Sequence, residues 1–566
     1  MHIHFGAAGS RKIMTGCKTS AQTKPLARKC RTFGAQPPRH VVDFGLAVWC
    51  FALALLAVSA DAGDRPQWGE AWSRNMVSNE RGLPDSFDPK TGRNIKWVAR
   101  LGTEAHSSPV VGSGVVIIGT NNDDPRDANH QGDRGVLMCF DEKEGKLRWQ
   151  LVVPKRVEDI YFDWPTAGIS SPATIEGDRV YVVDNRGVAL CLDLAGMANG
   201  NDGPFTNEAI YYAPQPTNSL ARGAPAAFQP DGALIPGAPT PNRVEVGPLD
   251  ADIVWMFDLS SGAGIWSHDA AHSSVLIHGD QLYLNTGTGV DNTHRKIRRP
   301  DAPGLVVLDK HTGRLLARER VTHGERVFHS TWSAPSAGEV NGQPLIFFAG
   351  GDAVVHAFEP LRKVPPAGEA ATLKEVWQFD FDPTAPKTNV HRYHLNRREG
   401  PSDVFGMPVF LENRVYVAAG GDLWWGKNGA WLKCIDATKT GDITTTGLVW
   451  SYPLGKHVFA TPAIHDGLVF LGDCEGTFHC VDAATGQPVW TYEASGDFWA
   501  SPLVADGKVY VGTRRGQFLV FAATREKKLL SSLDLGTPIS ATCAAANGVL
   551  YVATMNKLYA ISTAPK

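Results

Sequence analysis

The chain has 566 residues, 43% of them hydrophobic, and a formal net charge of -3 from 55 basic and 58 acidic side chains. That near-neutral balance lacks the basic field on which nucleic-acid binding rests, so no nucleic-acid partner is expected. Length alone suggests three or four domains, a prior that an internal repeat overrides.

The first 62 residues differ from the rest. Residues 1–40 carry scattered Arg, Lys and His with almost no acid, and Phe44–Ala57 is an apolar run followed by the small residues Ser59, Ala60 and Ala62. Basic lead, short apolar core and small-x-small site read as a secretory signal over 1–62. The run is too short for a membrane span, so the mature chain is expected to be exported, periplasmic or extracellular, without a transmembrane segment. Cys50 lies inside that run behind Trp49, which does not suit a lipid-acceptor cysteine.

Residues 65–75 lead through a loop into 88–102, DPKTGRNIKWVARLG, the closing part of a repeat without the strands that should precede it. From there short β-branched runs alternate with Gly-centred turns, the pattern of β-hairpins. Each unit opens on a small residue before Pro or its substitute, at 107–109, 170–172, 273–275, 333–335, 406–408, 460–462, 500–502 and 540–542. Where loops have not grown the spacing is 40 residues, as between Pro462, Pro502 and Thr542. The last unit stops after its third strand, so the N-terminal fragment completes it. Eight openings and eight closings predict an all-β, eight-bladed propeller of four-stranded antiparallel blades over 63–566, one blade closed by strands from both termini.

Within each unit an outer-strand aromatic recurs, as Trp97, Trp149, Trp255, Trp377, Trp450 and Trp490, with Ala317 and Leu530 in the two remaining blades. One large aromatic per repeat is explained by packing between blades. Cys139, Cys191, Cys434 and Cys480 stand two residues before Asp in four units, which places each in its own blade as a small buried residue. No disulfide and no metal is assigned to them. A long Pro-, Gly- and Ala-rich insertion occupies about 195–250.

The units DEKEGKLRW (141–149), DKHTGR (309–314) and DAATGQPVW (482–490) resemble the repeat of the pyrroloquinoline-quinone-type β-propellers, from Pro66 to Ser562. That family includes quinoprotein alcohol and sugar dehydrogenases and the propeller of the outer-membrane β-barrel assembly machine, which binds no cofactor. Residues 285–319 and 420–437 resemble most closely a group of exported propellers of this type with unassigned activity, so the resemblance implies the fold and leaves the function open. Pyrroloquinoline quinone with Ca²⁺ is the cofactor the dehydrogenase branch implies. The adjacent-cysteine pair of many quinoprotein alcohol dehydrogenases does not occur here.

In a propeller the segments just before the innermost strands form a funnel. Here they supply Glu104, His106, Asp269, His272, His329, Trp332, Asp403, Lys456, His457, Asp497 and Trp499, and the loop before the fifth blade adds Arg397 and Arg398. Such polar convergence marks a binding site, although propeller channels are polar in any case and loop backbones need hydrogen-bonding neighbours. No segment carries a metal-ligand spacing, so no metal ligands are assigned. The sequence thus predicts an exported binding or scaffolding module whose funnel holds a small polar or anionic ligand or a protein partner. The alternative is a quinone-dependent dehydrogenase with a divergent site.

Overall fold

Each blade is an antiparallel meander, and the first shows why. Val110–Gly112, Val115–Asn121, Arg134–Asp141 and Leu147–Pro154 pair in that order, with short turns between the first two and the last two and the loop 122–133 between the middle pair. Inner and middle strands are buried along nearly their whole length because both faces are covered by neighbouring blades. The computed structural model describes residues 63–563 except 157–158, 215–226, 239–242, 270–271 and 323. The proposed leader lies outside the described residues. Among the described residues no helix is long and apolar enough to cross a membrane.

Seven further sheets repeat the plan, giving eight. The last joins the two ends of the chain. Ala544–Ala546, Val549–Ala553 and Lys557–Ile561 are completed by Ile95–Arg100, antiparallel to Lys557–Ile561. Closure removes the two open edges that a linear stack would leave. Short extra strands make four of these sheets five-stranded. One of them, Ala371–Thr372, lies parallel to Leu315–Arg318 and comes from the loop after Pro360.

The recurrent tryptophans lock each blade to the next. The indole N–H donates to a backbone carbonyl in the following blade, Trp97 to Glu142, Trp149 to Leu194, Trp255 to Lys310, Trp377 to Ala437, Trp450 to Ala483 and Trp490 to Thr524, at 2.8–3.2 Å. The ring face rests on the receiving turn. At Gly486, which has φ +71°, a Cβ would come within 2.6 Å of the Trp450 ring, and Gly145 meets Trp97 in the same way. Glycine is therefore required twice over, by conformation and by contact. Within each blade a small residue faces the tryptophan across the ladder, and this is the role of the repeat cysteines: Cys139 opposes Trp149, Cys191 Trp255, Cys434 Trp450 and Cys480 Trp490. All four are free and buried.

Where the tryptophan is missing the sizes exchange, and Val307 opposes Ala317. In the seventh blade the expectation needs correcting. Phe521 pairs with Leu529 and Val520 with Ser531. Leu530 is thus the extra residue of the bulge that every outer strand carries, and Ser531 holds the tryptophan position.

Two segments outside the blades have defined places. Described parts of the 195–250 insertion, including the helix Glu208–Tyr211, bury Phe205, Tyr211, Tyr212 and Phe228 against the first two blades. The arm 64–80 runs across the propeller and meets the innermost strands one after another. Val111 and Ile175 donate their N–H to Arg65 and Pro66, Ala337 to Trp72, Phe410 to Ser73, and Val504 to Met76. Asn75 does the same with its side chain, accepting from Ile464 N at 2.9 Å and donating to its carbonyl at 2.8 Å. Arg74, fully buried, donates to the carbonyls of Trp68, Ser274 and Pro335. This arm closes one end of the central channel.

Candidate functional site

The other end holds a cavity of about 660 Å³, in the range of small-molecule sites. Its wall follows the repeat. The residue three places before the opening Pro, or its substitute, is His106, Ile169, His272, Trp332, Phe405, Phe459, Trp499 and Ile539 in successive blades. Six of these eight line the cavity, and the two isoleucine blades present Ser170 and Ser540 beside them. Trp68 of the arm also lines it.

The wall is both aromatic and polar. Trp332 stacks on Phe405 with centroids 5.0 Å apart, Phe405 meets Phe459 at 4.3 Å, Phe459 stacks on Trp499 at 4.7 Å, and the Arg514 guanidinium covers Trp499 at 4.5 Å. Two partly exposed tryptophans also line the cavity: Trp424, at 37% exposure, meets Phe459 edge-on at 5.7 Å, and Trp164, at 41%, lies 5.4 Å from Tyr161. Glu104, His106, Asp269, His272, His294 and His329 line the same cavity, His106 6.3 Å from the Trp499 ring and His329 4.9 Å from Trp332. Glu104 Oε2 is 3.5 Å from His106 Nε2 and Oε1 accepts from Thr166, so its carboxyl is held below its ordinary value.

The deepest polar group is a trio. His329 Nδ1 is 2.9 Å from Asp422 Oδ2, and its Nε2 is 2.6 Å from His268 Nε2. His294 joins them, with ring centroids 5.1 Å from His268 and 5.0 Å from His329. Tyr161 stacks on His268 and meets His294 edge-on, while Trp425 covers His294. Asp422 is oriented in turn by the N–H groups of Trp424 and Trp425, which donate to its Oδ1. Asp269 Oδ2 lies 3.5 Å from His268, and burial pushes its carboxyl up to about 6.

Of the thirteen residues nominated from sequence, Glu104, His106, Asp269, His272, His329, Trp332 and Trp499 are brought together here. The other six have different surroundings. Asp403 is buried below the wall, its carboxyl driven well up by burial and by neighbouring Asp422. His457 Nδ1 is 2.8 Å from the carbonyl of Gly421, and Lys456 pairs with Glu475 at the surface. Asp497 is half-buried, and its carbonyl accepts from Arg514 N. Arg397 donates to the carbonyls of Leu423, Trp424 and Gly426, so it braces the tryptophan loop, and Arg398 is exposed.

His268, His294, Tyr161, Trp164, Phe405, Phe459 and Arg514 were not nominated. The phenylalanines share the repeat position of Trp332 and Trp499 and could have been found by it. His268 stands beside Asp269, whereas His294, Tyr161 and Trp164 lie on loops with no repeat position.

His272 supplies a measurable consequence. Its Nε2 is 2.6 Å from Ser267 Oγ, and burial lowers its pKa to about 4. An unfolded histidine titrates near 6.5, so the unfolded chain takes up this proton first. The stability this neutral imidazole contributes is complete above about pH 6.5 and is lost as pH falls towards 4, roughly 3 kcal/mol in all. Denaturant unfolding at pH 7 and pH 4 should show a smaller acid loss, by about that amount, in His272→Gln than in the parent. Equal losses would remove His272 as the cause.

The eight closed blades and the docked tryptophans define an eight-bladed β-propeller, and its repeat units are similar to those of the pyrroloquinoline-quinone type. A family model described as outer membrane protein assembly factor BamB matches residues 76–199 and 428–529. No curated protein matches by sequence. Among solved structures, a europium-containing methanol dehydrogenase aligns with TM-score 0.55 and 11% identity over 89% of this chain and 99% of that one. BamB from Moraxella catarrhalis gives 0.45 and 12% over 83% and 97%. The quinohemoprotein alcohol dehydrogenase from Comamonas testosteroni gives 0.45 and 14% over 90% and 82%. At these identities the likeness is one of fold.

Proposed function

We propose that the protein is an exported binding propeller that takes a small polar ring compound, of the saccharide type, into its central cavity. The observation that carries this reading is the cavity lining, in which the partly exposed rings of Trp164 and Trp424 stand among hydrogen-bonding Glu, Asp and His side chains. Aromatic faces receive the apolar face of a ring, and the Glu, Asp and His side chains receive its hydroxyls. The basic and apolar leader pattern supports placing the protein outside the cytoplasm.

Pyrroloquinoline quinone with Ca²⁺, the cofactor of the dehydrogenase reading, fits these residues poorly. A tricarboxylate needs cations, yet among the lining residues Arg514 stands against the carboxylates of Glu104 and Asp269. Ca²⁺ takes an all-oxygen shell, whereas the deepest polar group here is built of imidazoles.

Titration calorimetry of protein lacking residues 1–62 against a panel of mono- and disaccharides tests the proposal. One or more should bind, and Trp164→Ala or Trp424→Ala should weaken that binding about tenfold, the loss of one good ring contact. Absence of saccharide binding at millimolar concentration, or tight binding of the quinone in the presence of Ca²⁺, would overturn it.

A further inference from the structure

We propose that His268, His294 and His329 bind one divalent transition-metal ion of the zinc type, with its remaining coordination positions open to the central cavity. The inference does not depend on which organic ligand the cavity takes. Each of the three offers one ring nitrogen, and these nitrogens lie within 4.8 Å of one another. Two nitrogens bound to one zinc at 2.0–2.1 Å are about 3.4 Å apart in tetrahedral geometry. The His268 and His329 nitrogens, hydrogen-bonded at 2.6 Å, need to part by about 0.8 Å to share an ion, and the remaining separations are at most 4.8 Å.

The protonation pattern points the same way. His329 Nδ1 faces the Asp422 carboxylate and carries the proton there, which leaves Nε2 as a lone pair directed at His268. A carboxylate behind a ligating imidazole is the arrangement that fixes tautomer and ring orientation at metal sites. Asp422 is itself fully buried and oriented by two backbone N–H groups. Nitrogen donors select Zn²⁺, Cu²⁺, Co²⁺ or Ni²⁺ over Ca²⁺ and Mg²⁺.

The position of the trio adds a purpose. His294 and His329 line the cavity, and Asp269 lines it beside them with its Oδ1 buried and without a partner among the described residues. Three protein ligands and an open face form the arrangement of zinc sites that bind an exogenous molecule. Asp269 is placed to accept a hydrogen bond from whatever hydroxyl or water takes that face.

Untagged protein lacking residues 1–62 is stripped with chelator and titrated with Co²⁺ and then Zn²⁺. One equivalent of Co²⁺ should give visible d–d bands that Zn²⁺ displaces and Ca²⁺ does not. With Cu²⁺, electron paramagnetic resonance should show hyperfine coupling to three imidazole nitrogens. His294→Gln, provided it melts like the parent, should lose the bands, and Asp422→Asn should weaken Co²⁺ about 10–100-fold as a positioning residue does. No stoichiometric uptake by the parent, fewer than three coupled nitrogens, or an unchanged spectrum in a folded His294→Gln would overturn the assignment. These readouts need no saccharide, so failure of the metal site and failure of the saccharide reading remain distinguishable.

Discussion

Replacing Trp149 by alanine is expected to destabilise the protein by about 3–5 kcal/mol, the usual cost of removing a fully buried tryptophan. The ring is 0% exposed, and its N–H donates to Leu194 O at 2.8 Å across the boundary between the first and second blades. Truncation opens a cavity against Gly196 and removes the donor to the partly buried Leu194 carbonyl. Trp149→Phe separates these two effects, because it keeps most of the apolar contact and loses the hydrogen bond, and it should cost roughly 1–3 kcal/mol less than alanine. Urea unfolding followed by intrinsic fluorescence measures both variants. A loss below 1 kcal/mol for Trp149→Ala would mean that the blade boundary repacks freely, against the reading of tryptophan docking as a joint.

Why that joint was legible in the sequence, while much of the cavity was not, follows from what repeats. A blade boundary is made anew in every unit, so Trp97, Trp149, Trp255, Trp377, Trp450 and Trp490 recur at one position, together with the small residue opposite and the turn glycine of the next blade. Bulges break this legibility by one residue, and so Leu530 stood in for Ser531. The cavity wall is legible to the same degree. Selection by chemical type found His106, His272, Trp332 and Trp499 but passed over Phe405 and Phe459, which hold the same position and complete the aromatic stack. Six residues before the opening, Asp269 and His329 reach the cavity, whereas Lys456 turns outward to Glu475, because the opening segments differ in path. The histidine trio shows the limit most clearly. His268 precedes the third blade, His329 the fourth, and His294 lies on a loop inside the third, so no local spacing encodes their meeting. Asp422 joins them from a fourth segment, in the fifth blade.

The arm at 64–80 carries the second large effect. Asn75→Ala is expected to cost about 2–4 kcal/mol, because one side chain satisfies both the N–H and the C=O of Ile464 and its loss leaves both buried groups without that partner. Asn75 is only 3% exposed, so water does not readily replace it. Asp at this position could still accept from Ile464 N but could not donate to Ile464 O while ionised, so Asn75→Asp should be at least as damaging. Neighbouring contacts are arranged in series along the arm, from Trp72 O with Ala337 to Met76 O with Val504. Loosening one link therefore exposes the next to solvent, and limited trypsin digestion should cut the variant near Arg74 and Arg81 under conditions that spare the parent. The arm also brings Trp68 to the cavity wall and holds Arg74 against Ser274, the residue after Ser273 of that wall. Saccharide affinity should consequently fall together with stability in Asn75→Ala, although Asn75 itself does not line the cavity. If affinity stays constant while stability drops, the arm is a plug only, and the cavity wall is organised by the blades alone.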